Sequence, residues 1–379
     1  MSIDFTKVPS PCYVLDEELL RKNLSLIRSV KEAAGIEIIL AFKGFSMWGV
    51  FPIVREYIEG ATASSLHEAM LCFEEMKTKA HTYAPIYLKD EFAEIVNISS
   101  HITFNSLSQY RTLYPEIVKS GQKVSVGLRV NPEYSEVGTA LYNPCAPGSR
   151  LGITSDLLED ELPEGVEGLH FHALCESSSY DLAKTLEAFE SRFGKYLHKL
   201  KWVNMGGGHL MTREGYDTNH LIKLLKSFKA KYGVQVILEP GSAFAWRTGY
   251  LVSQVVDIVE NHGVKTAMLD VSFTAHMPDC LEMPYQPKIL SASDEGSGET
   301  AYRMGGNTCL SGDYMGDWYF EKKLVEGDRI IFDDMIHYTM VKTSTFNGVP
   351  HPGIGIWTRE NQFKLLRKFG YSDFKNKLS

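Results

Sequence analysis

Short apolar runs alternate with amphipathic stretches over about the first 240 residues. An opening run at 12–15 is followed by a predicted helix that Asp16 caps and that Gly35 ends. Helical periodicity fills most intervals between later strands, most clearly at 65–76, 181–200 and 217–232. The predicted strands of this repeating pattern are 37–42, 61–63, 81–84, 101–104, 123–131, 166–173, 201–205 and 234–239. About eight strand–helix units predict a (β/α)8 barrel, with a doubly wound open sheet as the alternative.

The pattern changes near Tyr250, where long helical stretches give way to runs rich in β-formers. Turns of Gly, Pro and Asp separate these runs, which predicts a C-terminal β domain. The opening strand near Tyr13 is expected to join that domain, so the predicted boundaries are 16–245 for the barrel and 1–15 plus 246–379 for the β domain. Residues 291–300 (SASDEGSGET) are predicted to form a polar loop. The predicted strands of the β domain are 251–259, 266–271, 329–332 and 338–341.

Composition narrows the class of protein. Over 379 residues, 47 Asp and Glu outnumber 39 Lys and Arg, and the formal charge of -8 argues against a nucleic-acid partner. No apolar run approaches the roughly 20 residues that span a bilayer, and residues 1–11 lack the apolar core of a signal peptide, so no membrane partner is expected. The six cysteines show neither a CxxC pair nor zinc spacing. This predicts reduced thiols, no metal site and a cytoplasmic enzyme.

The first candidate for chemistry is Lys43, which directly follows the apolar run at 39–42. In a barrel, Lys43 would project from the carboxyl end of its strand, where the catalytic side chains of this fold lie. Desolvation at that end would make its amine a nucleophile or a Schiff-base former. Taken alone, the position equally suits a solvent-facing strand end.

Two further motifs follow the predicted seventh and eighth strands. Gly206, Gly207 and Gly208 are consecutive, and the backbone N–H groups of such a run can converge on an anion such as phosphate. Their spacing does not match the GxGxxG fingerprint of dinucleotide sites. Glu239, in a Glu-Pro-Gly segment, would lie beside strand one of a closed barrel, where it could keep a heterocyclic nitrogen protonated. A plain turn and a structural salt bridge are the respective alternatives.

His170 and His172 end the predicted sixth strand, and they share one face if the strand alternates to its end. An imidazole there can stack on a planar ligand, whereas a metal pair is disfavoured because no further ligand cluster is evident. Taken together with Lys43, the glycines and Glu239, these residues predict a pyridoxal phosphate site at the barrel mouth. The lysine would meet the aldehyde, backbone donors the phosphate, the glutamate the pyridine nitrogen and a histidine the ring face.

Motifs in both halves of the chain carry a family resemblance. Residues 306–313 (GNTCLSGD) are similar to a Gly-Pro-x-Cys-(Asp/Glu)-x-x-Asp segment, and HYT at 337–339, followed by STFNG at 344–348, is similar to a segment that carries a phosphate-binding tyrosine. These segments belong to the fold-type III pyridoxal phosphate decarboxylases, which comprise ornithine, arginine and diaminopimelate decarboxylases and are related to alanine racemase. The resemblance covers nearly the whole chain. HFHALCESSS, GNTCLSGD and FKGFSMW are most similar to the branch that acts on carboxynorspermidine.

The resemblance implies a role for each matching residue. Lys43 would hold the cofactor covalently, His172 would stack on its ring, and Glu239 would pair with the pyridine nitrogen. Cys309 would be contributed across a homodimer interface and would protonate the product after carbon dioxide leaves. The residues implied to hold the cofactor phosphate are Gly206, Gly207, Gly208, Gly241 and Tyr338.

Three residues depart from the family pattern. Ser242 stands in place of an arginine after Glu-Pro-Gly, Leu310 in place of the acidic residue after the motif cysteine, and Thr62 in place of the acid after strand two. These departures favour carboxynorspermidine or carboxyspermidine over ornithine and diaminopimelate as substrates. Arg150 could hold a carboxylate or pair structurally. The cationic arm of such a substrate needs acidic partners, and the candidates are Asp270, Asp279 and Asp313, with His276 nearby.

The sequence therefore predicts pyridoxal-phosphate-dependent decarboxylation of carboxynorspermidine or carboxyspermidine in polyamine biosynthesis. A diaminopimelate or basic amino acid decarboxylase is the enzymatic alternative. Alanine racemase is disfavoured because racemases of the superfamily typically place arginine where Glu239 stands. A catalytically silent regulatory homologue is a further alternative, but such proteins tend to lose the lysine or the cysteine, and Lys43 and Cys309 are both present. The preferred substrate and any assembly beyond a dimer stay open.

Overall fold

The structure, a computed structural model, describes residues 3–138, 142–293 and 300–379. The chain divides into two units. The barrel unit comprises residues 23–244, and the sheet unit combines the described residues up to Lys22 with residues 245–379. Residues 294–299 of the predicted polar loop lie outside the described residues.

A strand and a long helix open the chain after a 3-10 helix at Phe5–Lys7. The strand is β1 (Cys12–Asp16), and the helix is α1 (Glu17–Ala34). The Asp16 carboxylate accepts hydrogen bonds of 2.9 and 3.1 Å from two backbone N–H groups of the first helical turn, so it caps the helix as predicted. Gly35, at φ +64°, lies in the left-handed region in which helices commonly end.

Within residues 23–138 and 142–244, the barrel unit is built on nine short parallel strands. In chain order they are β2 (Glu37–Ile38), β3 (Leu40–Ala41), β4 (Ala61–Ala63), β5 (Ala80–Tyr83), β6 (Ser99–Phe104), β7 (Ser125–Arg129), β8 (Val166–His170), β9 (Trp202–Asn204) and β10 (Gln235–Leu238). β2 and β3 together form the predicted strand 37–42, which changes partner at Ile39. β2 pairs with β10 and β3 pairs with β4, so the sheet closes on itself with eight strand positions. The predicted (β/α)8 barrel is therefore confirmed, and the open sheet is excluded.

Helices follow most of these strands. They are α2 (Phe51–Val54), α3 (Leu66–Leu71), α4 (Lys89–Ile98), α5 (Leu107–Ser120), α6 (Ser179–Leu197), α7 (Thr218–Tyr232) and α8 (Ser242–Ala245). Four of them begin with a capping side chain that accepts a backbone N–H bond, namely Ser65, Ser106, Ser178 and Asp217. A π-helix (Cys72–Met76) prolongs α3, and 3-10 helices occupy Trp48–Val50 and Ser155–Leu157. Among the helices of the described ranges, none combines the length and apolarity needed to cross a bilayer.

Trp202, the first residue of β9, closes the amino-terminal end of the barrel. A Cβ at Gly127 or Gly168 would approach indole atoms to 2.3 or 2.1 Å, so only glycine leaves room for the ring. The indole N–H donates to Ser125 Oγ at 2.8 Å. Because this end is packed with side chains, polar chemistry is left to the carboxyl ends of the strands.

The part of the sheet unit that the structure describes contains eight strands. Besides β1, they are β11 (Gly249–Asn261), β12 (Val264–Leu269), β13 (Thr300–Gly305), β14 (Tyr314–Phe320), β15 (Arg329–Asp333), β16 (Gly353–Trp357) and β17 (Phe363–Arg367). Their order is β14-β13-β12-β11-β1-β16-β17, with β15 also paired to β11. β1 runs antiparallel to β11 and parallel to β16, which confirms that the N-terminal strand joins the C-terminal sheet.

Among the described residues of this unit there are also four α-helices: α9 (Phe273–His276), α10 (Pro278–Glu282), α11 (Tyr338–Val341) and α12 (Tyr371–Leu378). The strand predicted at 338–341 is wrong, because that segment is α11. The N–H groups of Met340 and Lys342 bond to carbonyl oxygens of His337 and Tyr338 and close a single helical turn. A four-residue apolar run carries no periodicity that separates a strand from a buried helical turn, so tertiary contacts decided the outcome.

Candidate active site

Lys43 follows β3 by two residues and therefore lies at the carboxyl end of the barrel, where the sequence predicted it. Part of its side chain reaches solvent, but the ammonium group lies among protein atoms. This burial, reinforced by the Arg129 guanidinium, lowers the pKa of Lys43, while Glu239, Cys175 and Glu68 act in the opposite direction. An amine with a lowered pKa spends more time neutral, and the neutral amine is the nucleophilic form.

His172 links Lys43 to the glycine run. Its Nδ1 accepts a hydrogen bond from the Gly207 N–H at 2.8 Å, and its Nε2 lies 3.3 Å from Lys43 Nζ. Burial, with Lys43 and Arg129 nearby, lowers the pKa of His172 well below its usual range, so the ring is neutral. A neutral ring that accepts at Nδ1 carries its proton on Nε2, and that proton can only be donated to an unprotonated Lys43 amine. The geometry thus independently favours a neutral lysine.

β8 ends at His170, so the predicted strand alternation does not extend to His172. His172 instead belongs to the segment that follows β8, and the fully buried Phe171 separates the two histidines. His170 is itself buried in the barrel unit.

The glycine run at 206–208 forms a tight turn after β9. Gly206 and Gly208 adopt φ values of +68° and +88°. A Cβ at any of the three would come within 2.5 Å of a backbone atom, so this turn requires glycine throughout. The Asn204 side chain accepts the Gly206 N–H at 2.9 Å, and His172 accepts the Gly207 N–H. Within the described part of the chain, only the Gly208 N–H of the three has no acceptor.

Glu239 directly follows β10, and its carboxylate is buried in the barrel unit. Oε1 accepts a 2.6 Å hydrogen bond from the Asn204 amide. Burial raises the pKa of Glu239, whereas the bonds from Asn204 and Thr62 and the charges of Lys43 and Arg129 favour the ionised form. Thr62, the residue that replaces the family acid after strand two, thus contributes a hydroxyl to this carboxylate.

Gly44, which follows β3, and Gly241, which follows β10, bring the ends of these two strands together beside Lys43. A Cβ on Gly44 would approach the Gly241 Cα to 2.8 Å. The backbones of the two segments therefore touch, and this contact requires both residues to be glycine. Ala41 N–H also bonds to the Pro240 carbonyl at 3.1 Å. The Glu-Pro-Gly segment consequently lies next to the lysine, as expected for a closed barrel.

Sequence reasoning missed two charged residues of this site. Arg129 ends β7, is 4% exposed, donates to the His172 carbonyl oxygen at 3.3 Å and lies 4.7 Å from the centre of the Tyr83 ring. Glu68, in the first turn of α3, accepts the Ser64 N–H at 2.6 Å. Burial raises the pKa of Glu68, and the Ser64 bond and Lys43 offset this rise only in part. The signal for Arg129 was present, because it ends an apolar strand just as Lys43 does.

Arg150 is exposed in the barrel unit. It lines a cleft of about 480 Å³ together with Arg111 and several serines. Its carbonyl oxygen accepts a 2.9 Å bond from Asn105, whose own carbonyl oxygen accepts from the Tyr83 hydroxyl at 2.8 Å. The predicted contact of Arg150 with a substrate carboxylate stays a prediction.

The sheet unit holds the other predicted residues, and Cys309 lies in its β13–β14 loop. The Cys309 thiol is exposed, and its backbone N–H bonds to the Asn347 side chain at 2.9 Å. Asp313 ends the same loop, where it is 4% exposed. It accepts hydrogen bonds from backbone or hydroxyl groups of Ser272, Thr274 and Thr308 at 2.6 to 3.3 Å. Asp313 therefore organises the loop that presents Cys309.

The remaining candidates of the sheet unit are mostly engaged by protein groups. Asp270 accepts bonds of 2.7 to 3.0 Å from Ser10, Ser253 and Gln254. Asp279 accepts from Tyr285 and Thr339 through Oδ2, and its enclosed Oδ1 has no partner among the described residues. His276 accepts the Ser272 N–H at 3.0 Å, and burial lowers its pKa to about 4. Tyr338 lies half-buried on α11.

Comparison with known proteins supplies the family. The profile described as "Pyridoxal-dependent decarboxylase, C-terminal sheet domain" matches residues 12–336. A protein of Synechocystis sp. named carboxyaminopropylagmatine decarboxylase is 51% identical over 98% of this chain and 96% of its own length. A Campylobacter jejuni protein named carboxynorspermidine/carboxyspermidine decarboxylase is 46% identical over 98% of each chain.

Solved structures agree with the sequence relatives. Carboxynorspermidine decarboxylase from Campylobacter jejuni, complexed with norspermidine, superimposes with a TM-score of 0.91 and 45% identity over 98% of this chain and 100% of that one. Diaminopimelate decarboxylase from Helicobacter pylori, at 16% identity and a TM-score of 0.83, shares the fold over 99% and 98% of the two chains. The chain belongs to the pyridoxal-dependent decarboxylases, and the prediction of a decarboxylase that uses pyridoxal phosphate is confirmed.

Proposed function

We propose that this enzyme decarboxylates the amino-acid end of a carboxylated polyamine, with carboxynorspermidine and carboxyspermidine as its substrates in polyamine biosynthesis. The observation that carries the chemistry is the Lys43 amine, which lies 3.3 Å from His172 Nε2 and whose pKa burial lowers. The substrate class is supported by the names of relatives at 46% and 36% identity, both carboxynorspermidine/carboxyspermidine decarboxylases. The relative named for carboxyaminopropylagmatine is 51% identical, so an arm that ends in a guanidinium group belongs in any test of the substrate.

The residues present fit pyridoxal phosphate. A lysine with a lowered pKa suits the aldehyde. The Gly208 N–H, which has no acceptor among the described residues and lies in a turn with no room for a Cβ, suits an oxygen of the phosphate. A buried carboxylate with two neutral donors suits a protonated pyridine nitrogen. When bound, the cofactor supplies a sink for the electron pair that is left as carbon dioxide departs.

Each residue of the barrel unit has a proposed task. Lys43 would hold the aldehyde of the cofactor covalently. His172, whose orientation the Gly207 N–H fixes, would pack on the ring face of the cofactor. Glu239 would hold a proton on the pyridine nitrogen, and that proton would strengthen electron withdrawal by the ring. Gly206, Gly207, Gly208 and Gly241 would hold the phosphate of the cofactor, and the family resemblance implies Tyr338 as a further phosphate ligand.

We further propose a homodimer in which Cys309 serves the partner's active site as the acid that protonates Cα. Cys309 is exposed, and its neighbour Leu310 and the nearby Phe346 expose 46% and 44% of their surface. Large apolar side chains around an exposed functional loop are typical of a surface that a second subunit covers. In this proposal, residues 1–15 and 246–379 form the β domain that contributes to the interface and 16–245 form the barrel domain. We place the enzyme in the cytoplasm, where its six cysteines stay reduced.

The contacts with the substrate arm are proposed for Asp279 and His276 first. Their Oδ1 and Nε2 atoms have no partner among the described residues, whereas Asp270 and Asp313 use both carboxylate oxygens within the sheet unit. The family has an acidic residue at the position of Leu310, and that acid would bind the distal amine of a short substrate such as ornithine. Leu310 does not offer this contact. Arg150 remains the candidate for a substrate carboxylate.

The test is a panel of substrates read by release of carbon dioxide. It contains carboxynorspermidine, carboxyspermidine, carboxyaminopropylagmatine, diaminopimelate, ornithine and arginine. We expect turnover of the carboxylated polyamines and little of the last three. Lys43→Ala should abolish both the visible absorbance of bound cofactor and turnover, whereas Lys226→Ala, at an exposed position of α7, should change neither. Turnover by Lys43→Ala would refute the assignment, and bound cofactor without turnover on any compound would favour a silent homologue.

A further inference from the structure

A histidine without a role in the proposed mechanism lies beside the Glu239 carboxylate. His170, the last residue of β8, is 2% exposed, and its Nε2 lies 3.6 Å from Glu239 Oε2. The other carboxylate oxygen, Oε1, accepts from Asn204 at 2.6 Å. Glu239 is therefore held between an amide on one oxygen and an imidazole on the other.

The His170 ring is neutral and can point a proton at Glu239. Burial lowers its pKa well below the usual range, and the positive charges of Arg129 and Lys43 add to this effect. A neutral imidazole carries one N–H, and its place is set by the neighbours of the ring. Neither ring nitrogen of His170 has a hydrogen-bond partner among the described residues, and Nε2 faces Glu239 Oε2 at 3.6 Å. At 3.6 Å the contact is a long, mainly electrostatic interaction.

The ring is also fixed in place. It packs on Tyr83, with ring centres 5.2 Å apart and planes inclined by 53°, and the Arg129 guanidinium lies 4.7 Å from the centre of the same Tyr83 ring. The Tyr83 hydroxyl is tied to Asn105 at 2.8 Å, which limits rotation of the stack. Four titratable groups surround the His170–Glu239 pair. They are Lys43 after β3, Tyr83 on β5, Arg129 on β7 and His172 after β8.

We propose that His170 is a positioning residue that presents its Nε2–H to Glu239 Oε2 and so keeps the carboxylate ionised and aimed at the cofactor ring. A buried carboxylate is costly, and each neutral donor shifts the balance toward the ionised form without adding a positive charge that would compete with the pyridine proton. The pairing of His170 with Glu239 belongs to the barrel unit alone, and only its purpose rests on the proposed function.

The experiment measures the protonation of Glu239 in the cofactor-free protein. The infrared C=O band of the protonated carboxyl is followed against pH and is assigned by its loss in Glu239→Gln. His170→Phe keeps a ring but removes the hydrogen-bond donor. We expect the pH midpoint of the Glu239 titration to rise by about one pH unit, which is a tenfold change in the ratio of ionised to protonated carboxyl. His170→Gln restores a donor and should recover at least half of that shift. In the loaded enzyme, the acidic limb of kcat/KM should move in the same direction.

The inference is overturned if His170→Phe folds with the midpoint of the unmodified protein. It is equally overturned if ¹⁵N spectra of the unmodified, histidine-labelled protein show the His170 proton on Nδ1, a measurement that needs no folded variant. A shifted infrared midpoint in a protein that fails the substrate panel would refute the proposed function and leave the positioning role intact. Altered melting temperature without a shifted midpoint would make His170 purely structural.

Discussion

Replacing Asp313 with alanine tests whether this residue builds the Cys309 loop or receives the substrate. The Asp313 carboxylate joins the start of α9 to the β13–β14 loop. Its Oδ1 accepts from the Ser272 hydroxyl and the Thr274 N–H, both at 3.0 Å, and its Oδ2 accepts from the Thr308 N–H and hydroxyl at 3.1 and 2.6 Å. A Cβ on Gly306 would touch the carboxylate at 2.3 Å, so the loop backbone packs directly on it.

The expected fall in the free energy of unfolding follows from the groups that lose their hydrogen-bond acceptor. In Asp313→Ala the hydroxyls of the half-buried Thr274 and Thr308 can turn toward water, but their N–H groups and the fully buried Ser272 hydroxyl lose their acceptor. A buried N–H without a partner costs about 1–3 kcal/mol, and both residues are half-buried, which places each toward the lower end. With the lost packing on Gly306, the free energy of unfolding should fall by about 3 kcal/mol. The loop would loosen, so kcat should fall more than KM rises.

Urea unfolding, followed by tryptophan fluorescence, measures this change. The matched control is Asp317→Ala on β14, because that carboxylate is 46% exposed and pairs with Arg303 at 3.7 Å, so its removal should cost less than about 1 kcal/mol. If Asp313→Ala is as stable as the control, the structural reasoning is wrong. If its stability holds while KM for the polyamine rises strongly, Asp313 contacts the substrate as the sequence predicted.

Three further predictions concern the barrel mouth and the buried histidines. Gly208→Ala should weaken cofactor binding at least tenfold in an absorbance titration, because the residue has a φ of +88° and its Cβ would lie 2.3 Å from Leu174 backbone atoms. Gly215→Ala should not weaken binding, because that residue has a similar φ of +78° but lies in open space. Arg129→Met should raise the pKa of Lys43 and slow its labelling by trinitrobenzenesulfonate at pH 8; an unchanged rate would contradict the electrostatic argument. Burial lowers the pKa of His209 and His276 from 6.5 to about 4. Between these two pH values the unfolded chain therefore binds more protons than the folded chain. The stability is complete above pH 6.5 and falls as the pH drops. The loss is about 1.4 kcal/mol per histidine at pH 5.5, and a urea series without any decline from pH 7.5 to 5 would refute it.

The sequence by itself determined the order of strands and helices and the barrel. Apolar runs at the right spacing predicted every barrel strand, and Asp16 and Gly35 marked the ends of α1, because capping and periodicity are local properties. It also predicted that Lys43, the glycine run and Glu239 lie at the same end of the barrel, since the carboxyl ends of parallel strands meet there whatever their separation along the chain. Their catalytic roles stay predictions that the experiments above test.

Only the tertiary structure decided which side chains touch and in which protonation state. The Gly207 bond that sets the His172 tautomer, and hence favours a neutral Lys43, joins segments separated by 35 residues, and no local pattern encodes it. The same holds for the buried Arg129 and for Asp313, an apparent substrate acid whose oxygens are taken up by its own loop. The segment 338–341 became a helix for a related reason, because a short apolar run leaves the choice to its neighbours. Burial and long-range hydrogen bonds are properties of the folded chain, and they set the pKa values on which the chemistry depends.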